Sequence, residues 1–203
     1  MINKLGWKIG GEQGEGIEST AEIFSTVVNT LGYHMYSTRD FSSRIKGGHS
    51  NSKICISEEK ISVIDYKTDI LIAFDQATLD SYIPELDENS IIIVDAKIKP
   101  EISEEIKGLV AVFPITDLAK EIANPIIKNI ITLGICSALL DIDSKIFYDM
   151  IEAKFSSKGE EIVNINIQAF DKGREIMSEF MEENDRIWGK KVVVDAGDSQ
   201  NLQ

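Results

Sequence analysis

Apolar and polar positions alternate along this chain in blocks that predict strands first and helices later. Residues 5–9 read as a short strand, and residues 10–16 as a glycine-rich turn. From Ile17 the apolar residues Ile17, Ala21, Phe24, Val28 and Leu31 recur at helical spacing, with Gly32 as a natural stop. Residues 33–37 follow as a second strand, which makes a βαβ opening. The polar, glycine-bearing stretch 39–52 reads as a loop, and residues 53–57 and 60–65 as an antiparallel hairpin around Glu58 and Glu59. Residues 69–74 and 90–94 are unbroken apolar runs of the buried type, and 109–113 is a further strand stopped by Pro114.

The second half is helical. Residues 75–82 and 117–122 are short helices. Asn124 and Pro125 form a start signal, because asparagine caps and proline fits a first turn. The helix they open runs to about Leu140 and is apolar nearly all round, the mark of a central, buried helix. Residues 143–155 are amphipathic, 160–182 form a long charged helix, 190–194 are strand-like, and 195–203 are a polar tail. Strands alternating with helices, with uninterrupted Ile/Val strands, predict an α/β protein. The expected architecture is a three-layer α/β/α sandwich around a mainly parallel mixed sheet, Rossmann-like, spanning residues 1–189, with 190–203 as a tail or linker.

Charge narrows the partners. Lys+Arg total 21 against Asp+Glu 34, a formal net charge of -13, which argues against nucleic acid and acidic membrane. The two cysteines, Cys55 and Cys136, sit in apolar runs and read as small buried thiols. With no CxxC, an iron–sulfur or zinc site within the chain is not expected. No signal-peptide pattern and no membrane-length apolar run are present, so the expected compartment is the cytoplasm.

Two segments carry candidate chemistry. The first is the turn with Gly10, Gly11, Gly14 and Gly16 between a strand and a helix, a context in which backbone N–H groups meet a ligand. Its spacing is neither the dinucleotide pattern nor a Walker A loop, and Glu12, Glu15 and Glu18 crowd the helix start, where they would repel a pyrophosphate. Close helix–sheet packing and ligand contact remain its two readings. The second segment, 39–53, gathers Arg39, Arg44, Lys46 and Lys53 in an acidic chain, with Gly47, Gly48, His49 and Ser50 among them. Those are parts for binding a carboxylate, a phosphate or an acidic partner, or else a solvated loop. His49 is a candidate for binding or proton transfer, while His34 reads as a structural or partly exposed histidine. Asp75 and Asp95 end parallel strands, where α/β proteins place ligands, yet either also suits a helix cap.

The glycine segment 10–16, then 44–50 with its Arg-x-x-Gly-Gly pattern, then Phe74 and Asp75, then Ala123, Asn124 and Pro125 resemble in order and spacing the gamma domain of the 2-oxoacid:ferredoxin (flavodoxin) oxidoreductases. The closest likeness is to the version fused at the N-terminus of a larger alpha subunit, as in 2-oxoglutarate-type enzymes. It implies a part in oxidative decarboxylation of a 2-oxoacid to acyl-CoA, with thiamine diphosphate, magnesium and iron–sulfur clusters held by other domains and none bound by this chain alone. Coenzyme A is the ligand whose side of the site this domain helps to shape. Gly10, Gly11, Gly14 and Gly16 match the family's glycine loop, and Arg44, Gly47, Gly48 and Ser50 its Arg-Gly-Gly segment; Lys46 and His49 lie within it. No residue is expected to be catalytic. Implied partners are the other domains or subunits, with ferredoxin or flavodoxin reached indirectly; a homo-oligomer is left open. Residues 195–203 end about where a thiamine-pyrimidine domain begins in fused members. The other reading is a free-standing nucleotide- or dinucleotide-binding module, with Arg39 or Asp40 at a ribose.

Overall fold

The structure, a computed structural model, describes residues 4–41, 48–61 and 67–184. Six strands form one sheet: β1 (Lys4–Glu12), β2 (His34–Phe41), β3 (His49–Ser57), β4 (Ile70–Ala73), β5 (Ile91–Asp95) and β6 (Leu109–Phe113), in the order β2-β3-β1-β4-β5-β6. Strands β1, β4, β5 and β6 run parallel, while β3 is antiparallel to both of its neighbours. The mainly parallel mixed sheet is therefore as expected.

Both faces of the sheet are covered, unequally. On one face, Trp7, Ile9, Ile70, Ile72, Ile91 and Ile93 join the main core with the helices α1 (Ile17–Thr30), α3 (Ile115–Ile122), α4 (Lys128–Leu139), α5 (Ser144–Phe155) and α6 (Glu160–Glu183). The alternate residues Leu71, Ala73, Ile92 and Val94 face a smaller cluster with Leu79 of α2 (Gln76–Ser81) and the half-buried Tyr82 and Leu86. Strands apolar on both faces are buried on both, which is why β4 and β5 read as unbroken runs. Trp7 stacks on Phe24 of α1 with ring centroids 4.6 Å apart.

Helix α1 buries Ile17, Ala21, Phe24 and Val28 of the predicted stripe together with Ile23 and Val27, while Leu31, at the C-cap, is half-buried against the core. Asn124 accepts a hydrogen bond from the Ile126 N–H at 2.9 Å and opens a 3-10 turn, Pro125–Ile127, from which α4 continues. Nearly every residue of α4 is buried, as its all-round apolar pattern predicts. It crosses α6 at glycines: a Cβ on Gly134 would lie 2.0 Å from Phe170 O, and one on Gly173 1.9 Å from Ile131 O.

Three expectations are corrected. Strand β1 runs through Gly10 and Gly11, so the turn begins only at Gln13. Glycine is needed there for close approach rather than for a bend: a Cβ on Gly10 would meet Thr78 at 2.7 Å, and one on Gly11 the Glu15 carboxylate at 2.6 Å. The stretch 39–52 is not one loop. β2 extends to Phe41, and β3 starts at His49, and the two pair antiparallel from His34↔Ser57 to Phe41↔Ser50. The hairpin is thus β2–β3, not 53–57 with 60–65; Lys60 and Ile61 are outside any strand and 62–65 lie outside the described residues. Finally, the βαβ opening is split, since β1 and β2 run the same way but β3 lies between them. The strand-like run 190–194 also falls outside the described residues.

Candidate functional site

The C-terminal ends of β1 and β4, the start of β3 and the N-termini of α1, α2 and α4 meet at one rim of the sheet. Helix α1 begins at Gly16, whose φ of 80° is the left-handed conformation open to glycine, and no side chain caps it. Gly14 has φ 95° and nothing within 4 Å of where a Cβ would stand, so its outer side is open. The turn is tied to the β2–β3 arm by Gln13 N–H donating to Gly48 O at 3.1 Å. Beside it lies a cleft of about 370 Å3 whose lining includes Gln13, Gly14, Gly16, Glu18, Ser19 and Ser50.

The glutamates at this helix start are largely committed to the protein. Glu15 folds under the turn: one oxygen accepts from the Glu12 N–H at 2.9 Å, the other from Lys128 Nζ at 2.5 Å. Lys128 is buried and lies 4.3 Å from the centroid of the Phe74 ring. Glu18 is ion-paired with Arg39. The repulsion expected of this acidic cluster is correspondingly reduced. Sequence reasoning missed Lys128, although a signal was present. A lysine in the first turn of a helix faces the positive end of the helix dipole, and one inside an all-apolar helix needs a buried acid. Asn129 was also missed; its amide nitrogen would stand 2.9 Å from a Cβ on Gly16, which closes α4 against the turn.

Strand alternation divides the predicted site between two faces. Ser50 faces the α1 side with the cleft. His49 faces the α2 side, where its Nδ1 is 3.3 Å from Asp75 Oδ2 and its ring lies over Gly10. Asp75 caps α2, accepting from the Thr78 N–H at 2.7 Å and the Thr78 hydroxyl at 2.5 Å. Asp95 is likewise a cap, of the 3-10 turn Ala96–Ile98, accepting from the Lys97 N–H at 3.2 Å, and it also accepts from the Thr116 N–H and hydroxyl in the first turn of α3. The structure thus brings Gly10, Gly11, Gly14, Gly16, Gly48, His49 and Ser50 to one rim. Arg44, Lys46 and Gly47 lie outside the described residues, as does the Asp40 side chain.

Burial pushes the Cys136 thiol up to about 12, with the Trp7 indole N–H donating to it at 3.4 Å, so it is an inert core group. Among the described residues no cluster of His, Cys, Asp and Glu is arranged to hold a metal ion, and no helix is long and apolar enough to cross a membrane.

The chain is 29% identical over 195 residues to a 2-oxoacid:ferredoxin oxidoreductase subunit alpha of Sulfolobus sp, covering 75% of this chain and 30% of that protein. It is 31% identical over 145 residues to the 2-oxoglutarate synthase subunit KorC of Methanocaldococcus jannaschii, covering 70% of this chain and 76% of that subunit. Among solved structures, it superposes with a TM-score of 0.81 and 26% identity on the 2-oxoglutarate:ferredoxin oxidoreductase from Magnetococcus marinus with 2-oxoglutarate, coenzyme A and succinyl-CoA bound, covering 88% of this chain and 32% of that one. The chain therefore spans about a third of the alpha-subunit relatives and about three quarters of the smaller subunit. The family model for pyruvate ferredoxin/flavodoxin oxidoreductase matches residues 6–176, and the chain belongs to that family.

Proposed function

We propose that this chain is the gamma-type domain of a 2-oxoacid:ferredoxin oxidoreductase and forms the coenzyme A side of its site, while other domains or subunits supply thiamine diphosphate, magnesium and the iron–sulfur clusters. The observation that carries this reading is the likeness, over 88% of the chain, to an enzyme solved with coenzyme A and succinyl-CoA bound. The rim fits such a ligand. The cleft is open at Gly14, the α1 N-terminus has no side-chain cap, and Glu15 and Glu18 are paired with cations of the protein itself. With two cysteines in its whole sequence, the chain lacks the four thiolates an iron–sulfur cluster ordinarily takes. In this reading electron transfer to ferredoxin or flavodoxin runs through other domains or subunits.

In this reading the chain binds and orients coenzyme A through the glycine turn, Ser50 and the arm carrying Arg44, Lys46, Gly47, Gly48 and His49. Reconstitution tests it. The partner subunits are assayed for 2-oxoacid- and coenzyme A-dependent viologen reduction with and without the chain. The chain alone is expected to show no turnover, and the partners are expected to need it. Turnover by the metal-free chain, or full activity of the partners without it, overturns the reading.

A further inference from the structure

On the α2 side of the rim, His49 Nε2 is buried with no hydrogen-bond partner, the one side-chain nitrogen or oxygen in that condition among the described residues. Its other ring nitrogen, Nδ1, stands 3.3 Å from Asp75 Oδ2. Asp75 is itself fixed by the Thr78 N–H and hydroxyl. A carboxylate oxygen accepts, so the ring nitrogen facing it, Nδ1, is the donor; in the tautomer this contact selects, Nε2 presents a lone pair. A buried acceptor left unpaired is destabilising, and packing alone does not require it, since an apolar ring would fill the same space. Room for the ring is made by Gly10, where a Cβ would stand 3.3 Å from His49 Cε1.

We propose that His49 is a ligand-binding residue whose Nε2 accepts a hydrogen bond from an uncharged donor, an amide N–H or hydroxyl, on the pantetheine arm of coenzyme A. Asp75 is the positioning residue that sets its tautomer. This rests on the reading of the rim as the coenzyme A side. In that tautomer a phosphate is the wrong partner, because its oxygens also accept. The pantetheine arm carries amides and a hydroxyl and no charge. The His49 side chain is 20% exposed at the rim, so a ligand there reaches the ring. The contact lies across the sheet from the cleft at Ser50, so the ligand is gripped on both sides of the end of β1.

The test uses the assembled oxidoreductase with coenzyme A, and with phosphopantetheine as a truncated acceptor. His49→Phe is expected to raise KM for both acceptors by about tenfold, the same factor for each, and to leave KM for the 2-oxoacid unchanged. Asp75→Asn keeps a capping side chain but loses the fixed acceptor; it is expected to raise KM for coenzyme A in part and to mix the two ring tautomers in 15N spectra of the chain. A parent-like KM for coenzyme A in an assembled His49→Phe enzyme overturns the proposal, as does a parent chain whose His49 carries its proton on Nε2. Where His49→Phe fails to assemble, the Asp75→Asn kinetics and the tautomer decide. Ser50→Val, on the cleft side, separates the two readings. A raised KM there with a parent-like His49→Phe rejects the histidine contact alone; a parent-like KM in both rejects the coenzyme A side as well.

Discussion

Position 49 turns its side chain toward α2, and position 50 turns toward α1, because successive residues of a strand point to opposite faces. The sequence marks both residues as chemistry-bearing but places them in a loop, where that alternation does not apply. The reason is physical. Strand β3 holds the buried polar residues Ser50, Asn51, Ser52 and Lys53, and polar burial is invisible to a hydropathy pattern. What satisfies Lys53 is a residue distant in sequence: Glu85 takes Lys53 at 3.0 Å, Lys8 at 2.6 Å and the Thr68 hydroxyl at 2.7 Å. Burial pushes the Glu85 carboxyl up, but the hydrogen bonds from Lys8, Thr68 and Lys53 together outweigh it and hold the group below its usual 4.5. A carboxyl depressed in the folded state adds stability that is fully present above its unfolded value and is lost as pH falls through the folded value. Glu85→Gln is therefore expected to cost about 1.5–3 kcal/mol near neutral pH. The gap from the parent should close in urea titrations run progressively below pH 4.5. A gap that stays constant with pH would show that the carboxylate charge contributes nothing.

Among the elements, those with a strong period were legible. The apolar stripe of α1, the all-round apolar α4 and the unbroken β4 and β5 are where the pattern puts them. What the pattern does not contain is how two helices meet. By intrinsic propensity a glycine at positions 134 and 173 is a mild penalty, since alanine is the better helix former by about 1 kcal/mol. In the fold each is a point of backbone contact between α4 and α6, with a carbonyl oxygen at about the place a Cβ would occupy. The neighbouring atoms are main chain and do not swing aside, so an added methyl must push the helices apart. Gly134→Ala is expected to destabilise by about 1–3 kcal/mol or more despite its better propensity. The readout is a lower urea midpoint with an unchanged m-value. A midpoint at or above the parent's would mean that α4 and α6 do not cross at these glycines.

For the molecule as a whole, the layered α/β class followed from the alternation of elements, but the strand order did not, because β3 enters the sheet between β1 and β2 by pairing with both. That insertion bears on the reading of the chain as a dinucleotide-binding module. Such a module sets the two strands flanking the first helix side by side, with a glycine turn facing the pyrophosphate and a residue past the second strand at the ribose. Here a whole strand separates them, Gly10 and Gly11 are spent inside β1, and Arg39, the candidate for a ribose phosphate, is paired with Glu18. The net charge of -13 adds no attraction for a polyphosphate. Calorimetric titration of the purified chain with NAD or NADP is therefore expected to give no tight binding. A dissociation constant near micromolar, about -8 kcal/mol, would mean that the rim accepts a dinucleotide despite the separated strands, and would favour the free-standing module over the coenzyme A side of an oxidoreductase.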